Sequence, residues 1–261
     1  MSNKTFKQTF TLTFCECAEN NIGMQMIGNK IDGGFSLDDL NEAKKYFDTK
    51  GAKCDLHDLK LLLDDDIKKS VDDAYVLIIK NGVKYLDVDP TKLYKEQNEL
   101  DKDTKAWMKG RVVNKKARYN LCFSDFSQDP DYENKKGTVY NFADLPMTHA
   151  IRNGLSNIIN NNKIKNLQCE GNYYYDLEST YIGFHGDAER RIVVAVRLGA
   201  SFPLYYRWYH KNETLGKLFK TILDHGDIYL MSDKAVGNDW KMSSKYTLRH
   251  ACAMKPKLIG L

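Results

Sequence analysis

Apolar and polar positions alternate at the start of the chain and again through most of its second half. Residues 6–14 read Phe-Lys-Gln-Thr-Phe-Thr-Leu-Thr-Phe, and this alternation of threonines with large apolar residues predicts a β-strand. Alternation, or short apolar runs rich in β-branched residues, predicts further strands at 166–175, 181–184, 192–198, 204–209, 227–231 and 246–252. Strands are therefore expected to dominate the chain after residue 163.

Helical spacing of apolar residues predicts four helices. The first begins after Ser36, a favourable N-cap residue, and carries Leu40 and Phe47 on one face. The other three are expected at residues 56–63, 144–158 and 214–226. Residues 74–86 predict a hairpin instead, because the pair Asn81-Gly82 readily adopts the positive φ angles of a tight turn.

Residues 87–106 are charged and weakly apolar, and we place a domain boundary there. Residues 1–86 then form a small N-terminal α+β module, for which the sequence indicates no function, and residues 107–261 form the main domain. Because many short strands follow the helices without regular strand–helix alternation, the predicted class is α+β. The main domain is expected to be an antiparallel barrel or jelly roll backed by helices.

The composition is that of a globular protein with room for a buried core: 261 residues, 42% hydrophobic and 28% charged. No apolar run approaches the ~20 residues of a membrane helix, and the polar start does not resemble a signal peptide. The six cysteines are scattered without paired CxxC motifs, which favours a reducing, intracellular location in cytoplasm or nucleus. A net charge of +4 permits a polyanionic partner without requiring one.

The first candidate chemistry is a His-x-Asp pair, His185 and Asp187. In an extended segment, residues i and i+2 point to the same face, so an imidazole and a carboxylate converge as a facial-triad iron site requires. The third ligand must come from elsewhere in the fold. Among the histidines downstream, His250 lies inside a predicted strand, where a buried imidazole is either a metal ligand or a hydrogen-bonded core residue.

A second candidate is a basic stretch between residues 109 and 118 that leads into Tyr119. Basic residues interleaved with aromatic ones are able to hold a phosphate backbone while a ring stacks on a base. A solvated basic loop produces the same pattern, and the stretch alone does not separate these two interpretations.

A longer string around the His-x-Asp pair carries a family resemblance. Asn172-x-Tyr174 is followed by Asp176 and then by Ile-Gly-x-His-x-Asp-x-Glu-Arg at 182–190. Together these residues resemble the core of the AlkB-like Fe(II)/2-oxoglutarate-dependent dioxygenases, and especially their nucleic-acid-repair branch. The similarity covers roughly residues 107–252 and leaves residues 1–86 outside it.

The resemblance implies a double-stranded β-helix (jelly-roll) core that binds Fe(II) and 2-oxoglutarate. It implies that His185 and Asp187 hold the iron, with His250 as the replacement for the family's distal histidine. It also implies that Asn172 and Tyr174 contact 2-oxoglutarate.

The resemblance further suggests which residues contact the nucleic-acid substrate and which contact the distal carboxylate of 2-oxoglutarate. Glu189 matches a residue that faces the damaged base, and Arg118 and Tyr119 lie where the family has a nucleotide-recognition lid. The family holds the distal carboxylate of 2-oxoglutarate with an arginine on its last strand. Here the tail departs from that pattern, and Arg249 is the predicted anchor, with Lys257 as an alternative.

Three functional hypotheses follow. The first is a dioxygenase that oxidises a methyl group on a nucleic-acid base, flipped or single-stranded, with DNA or RNA as partner and no membrane involved. The second keeps the iron chemistry but hydroxylates a protein side chain or a small molecule. The third is a non-catalytic barrel that binds nucleic acid or protein.

Overall fold

A computed structural model of the chain describes residues 6–261, which form sixteen β-strands and five α-helices. The strands are β1 (Thr9–Cys15), β2 (Cys17–Glu19), β3 (Met26–Gly28), β4 (Cys54–Asp58), β5 (Tyr75–Ile79), β6 (Lys105–Met108), β7 (Arg111–Asn114), β8 (Tyr119–Ser124), β9 (Val139–Asn141), β10 (Gln168–Tyr174), β11 (Tyr181–His185), β12 (Val194–Gly199), β13 (Phe202–His210), β14 (Glu213–Leu223), β15 (Ile228–Met231) and β16 (Thr247–Ala253). The helices are α1 (Leu37–Thr49), α2 (Asp65–Lys68), α3 (Pro90–Glu99), α4 (Pro146–Leu155) and α5 (Asp233–Val236). Strands are thus far more abundant than helices.

Eight strands form one large sheet in the order β4-β5-β15-β12-β1-β10-β8-β9. β1 lies near its centre and pairs antiparallel with β10 on one side and β12 on the other. Because side chains alternate along a strand, Phe10, Leu12 and Phe14 share one face of the sheet and the threonines between them share the other. Every residue of β1 is buried, so both faces of the sheet are covered at this point.

Helices α1, α3 and α4 cover the face that carries Phe10, Leu12 and Phe14. The helical members of this core are Leu40, Ala43, Phe47, Leu93, Ile151 and Leu155. Each large apolar side chain buried in this way contributes about 1.5–3 kcal/mol. The apolar stripe of each helix therefore fixes it against the sheet.

A four-stranded sheet, in the order β11-β16-β13-β14, covers the other face. A second core joins the two sheets, with Val193 and Tyr229 from the large-sheet side and Tyr206, Trp208 and Leu248 from the small sheet. The molecule is therefore an α+β protein with helices on one face of a large sheet and a second sheet on the other. Across residues 6–261, every helix falls short of the length and apolarity that crossing a bilayer requires.

The first strand and the first helix predicted from the sequence are confirmed. Helix α1 begins with a capping box, in which the Ser36 side chain accepts a hydrogen bond from the backbone of Asp39 and the Asp39 side chain accepts one from the backbone of Ser36. Strand β1 occupies the alternating segment at the start of the chain.

The predicted N-terminal module shares its sheet with the rest of the chain. Strands β1, β4 and β5 come from residues 1–86, and all three lie in the large sheet beside β10, β12 and β15. Residues 1–5 of that predicted module lie outside the described residues. Strand β1 joins the rest of the sheet because it is apolar on one face and threonine-rich on the other. It is therefore most stable with a neighbouring strand on each edge and a packed layer on each face.

Three predicted elements are wrong. The helix expected at residues 56–63 is instead the end of β4 followed by a 3-10 helix at Leu59–Leu62, because residues 54–58 pair with β5. Residues 214–226 form most of strand β14 and the turn after it rather than a helix, because residues 213–223 pair with β13 over almost its whole length. The apolar positions at 215, 218, 219 and 222 mimic a helical stripe. Residues 74–86 form β5 followed by a 3-10 helix instead of a hairpin, although Asn81 does adopt the expected positive φ, 52°.

Candidate metal centre

His185, Asp187 and His250 lie together where β11 and β16 pair. His185 is the last residue of β11 and faces His250 of β16, because a bulge between Ile182 and His185 shifts the register. One Asp187 carboxylate oxygen, Oδ1, is 3.4 Å from His185 Nε2 and 3.8 Å from His250 Nε2. One ligand atom from each residue lies within 4.8 Å of the others, which is close enough to hold a single ion.

The backbone fixes the orientation of the His185 ring. Its Nδ1 lies 2.9 Å from the carbonyl oxygen of Gly183 and 3.0 Å from that of His250. Since both neighbours are acceptors, Nδ1 carries a proton and donates, and Nε2 is the ring nitrogen that faces Asp187. Hydrogen bonds of this kind orient metal-binding histidines in general.

The electrostatics keep Asp187 and His250 in the protonation states that bind a cation. Burial alone raises the pKa of Asp187, but the Arg190 guanidinium and the two imidazoles outweigh it and hold the pKa well below its usual range. Burial, reinforced by repulsion from His185, lowers the pKa of His250 to about 3. A carboxylate and two imidazoles in this arrangement match the donor set of a 2-His-1-carboxylate iron site, so these residues fit Fe(II).

The turn between His185 and Asp187 depends on a glycine. A Cβ atom added to Gly186 would lie 2.0 Å from the carbonyl oxygen of Gly237. The same contact region holds the backbone of Asp187, whose N–H donates to Val236 O at 3.0 Å and whose carbonyl accepts from Asn238 Nδ2 at 3.0 Å. The segment after α5 therefore sets the position of the Asp187 carboxylate.

A cavity of about 620 Å³ opens beside the three residues, between the two sheets. Its wall contains most of the site residues predicted from the sequence: Arg118, Asn172, Tyr174, His185, Asp187, Glu189 and His250. The first three of these lie on or next to strands of the large sheet, and His250 lies on the small sheet. The cavity is thus built from both layers.

Asn172 and Arg118 are tied to each other within this wall. Asn172 Oδ1 accepts hydrogen bonds from Arg118 Nε and from Asn120 Nδ2, the latter at 2.9 Å. Asn172 Nδ2 donates to Glu170 Oε1 at 3.0 Å. Tyr174 is buried on the same face, and its ring lies 4.9 Å from that of Phe202.

The structure places two predicted site residues outside the cavity wall. Tyr119 stacks on Tyr175, with ring centroids 4.2 Å apart, and does not line the cavity. Arg249 points to the face of β16 opposite His250, over the rings of Tyr209 and Trp240, as side-chain alternation on a regular strand requires. Arg249 is therefore not positioned as a carboxylate anchor in this cavity.

The sequence pattern predicts no role for two buried arginines near the site. Arg190 forms ion pairs with Glu170 and Glu189 and lies beside Asp187. Arg197, on β12, is fully buried, and two of its nitrogens, Nε and Nη1, have no hydrogen-bond partner among the described residues. The available signal was a single charge in the apolar run Val-Ala-Val-Arg-Leu at 194–198, where a buried strand was already expected.

Comparison with known proteins identifies a relative of this chain whose own activity is not described. No protein family model matches the chain. An uncharacterized protein of Acanthamoeba polyphaga mimivirus is 45% identical to it over 245 residues, which cover 94% of this chain and 95% of that protein.

Proposed function

The chain belongs to the same family as that mimivirus protein, whose name assigns no chemistry, and we propose from the site itself that it is an Fe(II)- and 2-oxoglutarate-dependent dioxygenase. The observation that carries this proposal is the convergence of His185, Asp187 and His250 on one point in the wall of a cavity. The resemblance of residues 172–190 to the AlkB-like dioxygenases supports it independently of the geometry.

His185, Asp187 and His250 would hold the iron through Nε2, a carboxylate oxygen and Nε2. Fe(II) bound there would let O₂ react with 2-oxoglutarate and the substrate: one oxygen atom enters succinate as 2-oxoglutarate loses CO₂, and the other hydroxylates a substrate C–H bond. Three protein ligands leave coordination positions for the cosubstrate and O₂. Arg190 stays charged beside Asp187 and keeps that carboxylate ionised, so the chain presents an anionic ligand to the metal throughout.

The architecture supports the same proposal. A jelly-roll core consists of two antiparallel sheets packed face to face, and the ligand site of such a core lies between them. The chain has a large sheet and a four-stranded sheet packed through one core. The triad of His185, Asp187 and His250 and the cavity lie between them. We propose that these two sheets correspond to a double-stranded β-helix to which β4, β5 and the helices are added.

The leading substrate class is a nucleic-acid base that carries a methyl group, which hydroxylation would release as formaldehyde. Arg118 and Glu189, which the resemblance links to base recognition, both line the cavity. The β6–β7 hairpin lies shortly before Arg118 in the chain and exposes Lys105, Lys109 and Arg111 to solvent. Exposed cations of this kind are suited to phosphate contacts.

A second substrate class, a protein side chain or a small molecule, has a specific observation in its favour. Tyr119 is stacked on Tyr175 outside the cavity wall, so it does not offer its ring to a base inside the cavity. Arg118 is likewise engaged with Asn172. The iron chemistry is the same for this class, and only the contacts at the cavity mouth differ.

The decisive experiment measures metal binding and cosubstrate turnover together. Purified protein is titrated with Fe(II) under anaerobic conditions, and succinate formation from 2-oxoglutarate is then followed in air with methylated oligonucleotides, peptides or no substrate. His250→Ala should lose both metal and turnover, whereas His57→Ala, on the outermost strand β4 of the large sheet, should retain both.

The outcomes separate the hypotheses. Stimulation of turnover by a methylated oligonucleotide supports the demethylase, and stimulation by other substrates alone supports the second class. A folded protein that binds no Fe(II) and forms no succinate would exclude both and leave a non-catalytic binding role.

A further inference from the structure

Arg197 is a buried cation without a counter-ion in the part of the chain that the structure describes. It is fully buried in the core between the two sheets, and its Nε and Nη1 have no hydrogen-bond partner among residues 6–261. Its remaining contacts are weak: Nη2 lies 3.6 Å from the sulfur of Cys252, and the guanidinium carbon lies 5.4 Å from the ring centre of Phe202. Neither contact supplies a negative charge.

The other two buried arginines, unlike Arg197, both have carboxylate partners. Arg152 forms a two-pronged ion pair with Asp125, and Arg190 is paired with Glu170 and Glu189. No carboxylate within the described residues forms a salt bridge with Arg197. A buried charge that lacks a partner is strongly destabilising, so its retention in a packed core indicates that an anion is held there in the functional state.

The neighbours of Arg197 are also short of acceptors. Thr11 is its cross-strand partner on β1, and within the described residues the Thr11 hydroxyl has no hydrogen-bond partner. Tyr229 lies opposite Ala195, on the same face of the large sheet as Arg197, and both Tyr174 and Tyr229 line the cavity. A set of hydroxyl and guanidinium donors without an acceptor fits a carboxylate, which only accepts hydrogen bonds and matches the two-pronged geometry of arginine.

The spacing between this donor set and the triad indicates how long a ligand that contacts both would be. Cys252, which contacts Arg197, follows His250 by two residues on β16, and both residues line the cavity. Two residues along a strand correspond to about 7 Å. The carbon chain of a five-carbon diacid spans about 5 Å, at about 1.5 Å per bond with tetrahedral bends. This separation is comparable to the length of a small diacid, and Arg197 lies just behind the cavity wall, in contact with Cys252.

We propose that Arg197, assisted by Tyr174 and Tyr229, binds the distal carboxylate of a small dicarboxylic acid whose other end lies at His185, Asp187 and His250. The identification of that acid as 2-oxoglutarate rests on the proposed function. The anchor comes from β12 of the large sheet, in place of the arginine expected on the last strand.

The test measures binding rather than turnover. Succinate, 2-oxoglutarate and the monocarboxylate pyruvate are titrated by calorimetry, first into metal-free protein and then into protein loaded with Mn(II), which does not turn over. Succinate should bind metal-free wild type, and Arg197→Met should weaken it at least tenfold. Pyruvate, which has no distal carboxylate, should bind Mn(II)-loaded wild type and Arg197→Met equally.

Thermal unfolding without ligand provides a readout that a purely structural role would move the other way. Arg197→Met should keep or raise the unfolding temperature, because it removes an unpaired buried charge and retains an apolar side chain of similar length. The matched control Arg152→Met removes a paired buried arginine, and it should lower the unfolding temperature and leave the succinate affinity unchanged. If Arg197→Met does not fold, Arg197→Gln replaces it in the same titrations.

The two proposals fail in different ways. Undiminished diacid affinity in a folded Arg197 variant overturns the anchor, even if Mn(II) still strengthens 2-oxoglutarate binding and the dioxygenase proposal survives. The opposite pattern, Arg197-dependent succinate binding with no effect of Mn(II) or of His250→Ala on 2-oxoglutarate, overturns the metal site and retains the anchor.

Discussion

Replacing Gly186 by alanine tests whether the turn between His185 and Asp187 builds the metal centre. The added methyl group would lie 2.0 Å from the carbonyl oxygen of Gly237. Both atoms belong to backbone segments whose positions are set by hydrogen bonds, including Asp187 N–H to Val236 O at 3.0 Å. The clash therefore cannot be relieved by rotating a side chain.

The size of the effect follows from the geometry. Carbon and oxygen atoms need more than 3 Å of separation, so one of the two segments must shift by about 1 Å. Forced overpacking of this kind costs about 1–3 kcal/mol of stability. Metal–ligand distances tolerate only about 0.2 Å, so a displaced Asp187 should weaken metal binding by about 10–100-fold.

The assay compares Gly186→Ala with Gly183→Ala. A Cβ atom on Gly183 meets nothing within 4 Å, although this residue lies only three positions earlier, on β11. Co(II) binding, followed by its visible absorption, and urea unfolding are measured for both variants and for wild type. Gly183→Ala should match wild type within about 0.5–1 kcal/mol, the usual difference between glycine and alanine.

One result would refute this reasoning. If Gly186→Ala binds Co(II) with wild-type affinity and unfolds at the same urea concentration, the close approach to Gly237 does not position Asp187. The fold would then accommodate the methyl group without moving the ligand, and the role assigned to the segment after α5 would be withdrawn.

Three further predictions concern the surroundings of the site. Arg249→Ala should leave succinate affinity unchanged, since Arg249 lies over Tyr209; a tenfold loss in calorimetry would contradict its placement. Burial raises the pKa of Glu19 to about 7, so between about pH 4.5 and 7 the folded protein binds more protons than the unfolded chain and loses stability as pH rises. In urea unfolding, the stability of Glu19→Gln relative to wild type should therefore increase by about 1–2 kcal/mol from pH 5 to 8, after allowance for partial exposure of the carboxyl group. A stability difference that stays constant over this pH range would contradict the argument. Trp208→Phe removes the indole donor to Leu59 O at 2.8 Å and should cost about 1–3 kcal/mol, whereas a neutral result would show that the bond does not link β13 to the N-terminal segment.

The features that the sequence predicts well are those with local causes. The capping box at Ser36 and the alternation in β1 depend on residues within one turn or one strand, and both have the expected form. The string at 182–190 places His185 and Asp187 two residues apart, and the structure places their side chains 3.4 Å apart. The sequence also singles out His250 as a histidine that needs a partner inside a strand.

Long-range pairing explains the elements that differ. Residues 214–226 have helical spacing, but β13 offers a continuous hydrogen-bonding edge, and the segment extends along it as β14. The segment 1–86 looks separable in composition, yet β1 completes the centre of the large sheet. Local propensity is a weak force, and tertiary hydrogen bonding and burial override it.

The residues of the candidate site also divide into those that the sequence identifies and those that only the tertiary structure places. In the sequence, His185 and Asp187 stand out by residue type and spacing, and His250 by its place in a predicted strand. Asn172 and Tyr174 are candidates through the resemblance of residues 172–190 to a known family. Only the tertiary structure turns Arg249 to the outer face of β16 and places Arg197 between the sheets, with no counter-ion among residues 6–261. The reason is that the direction of a side chain on a strand depends on which face becomes the interior, and that is decided when the two sheets pack.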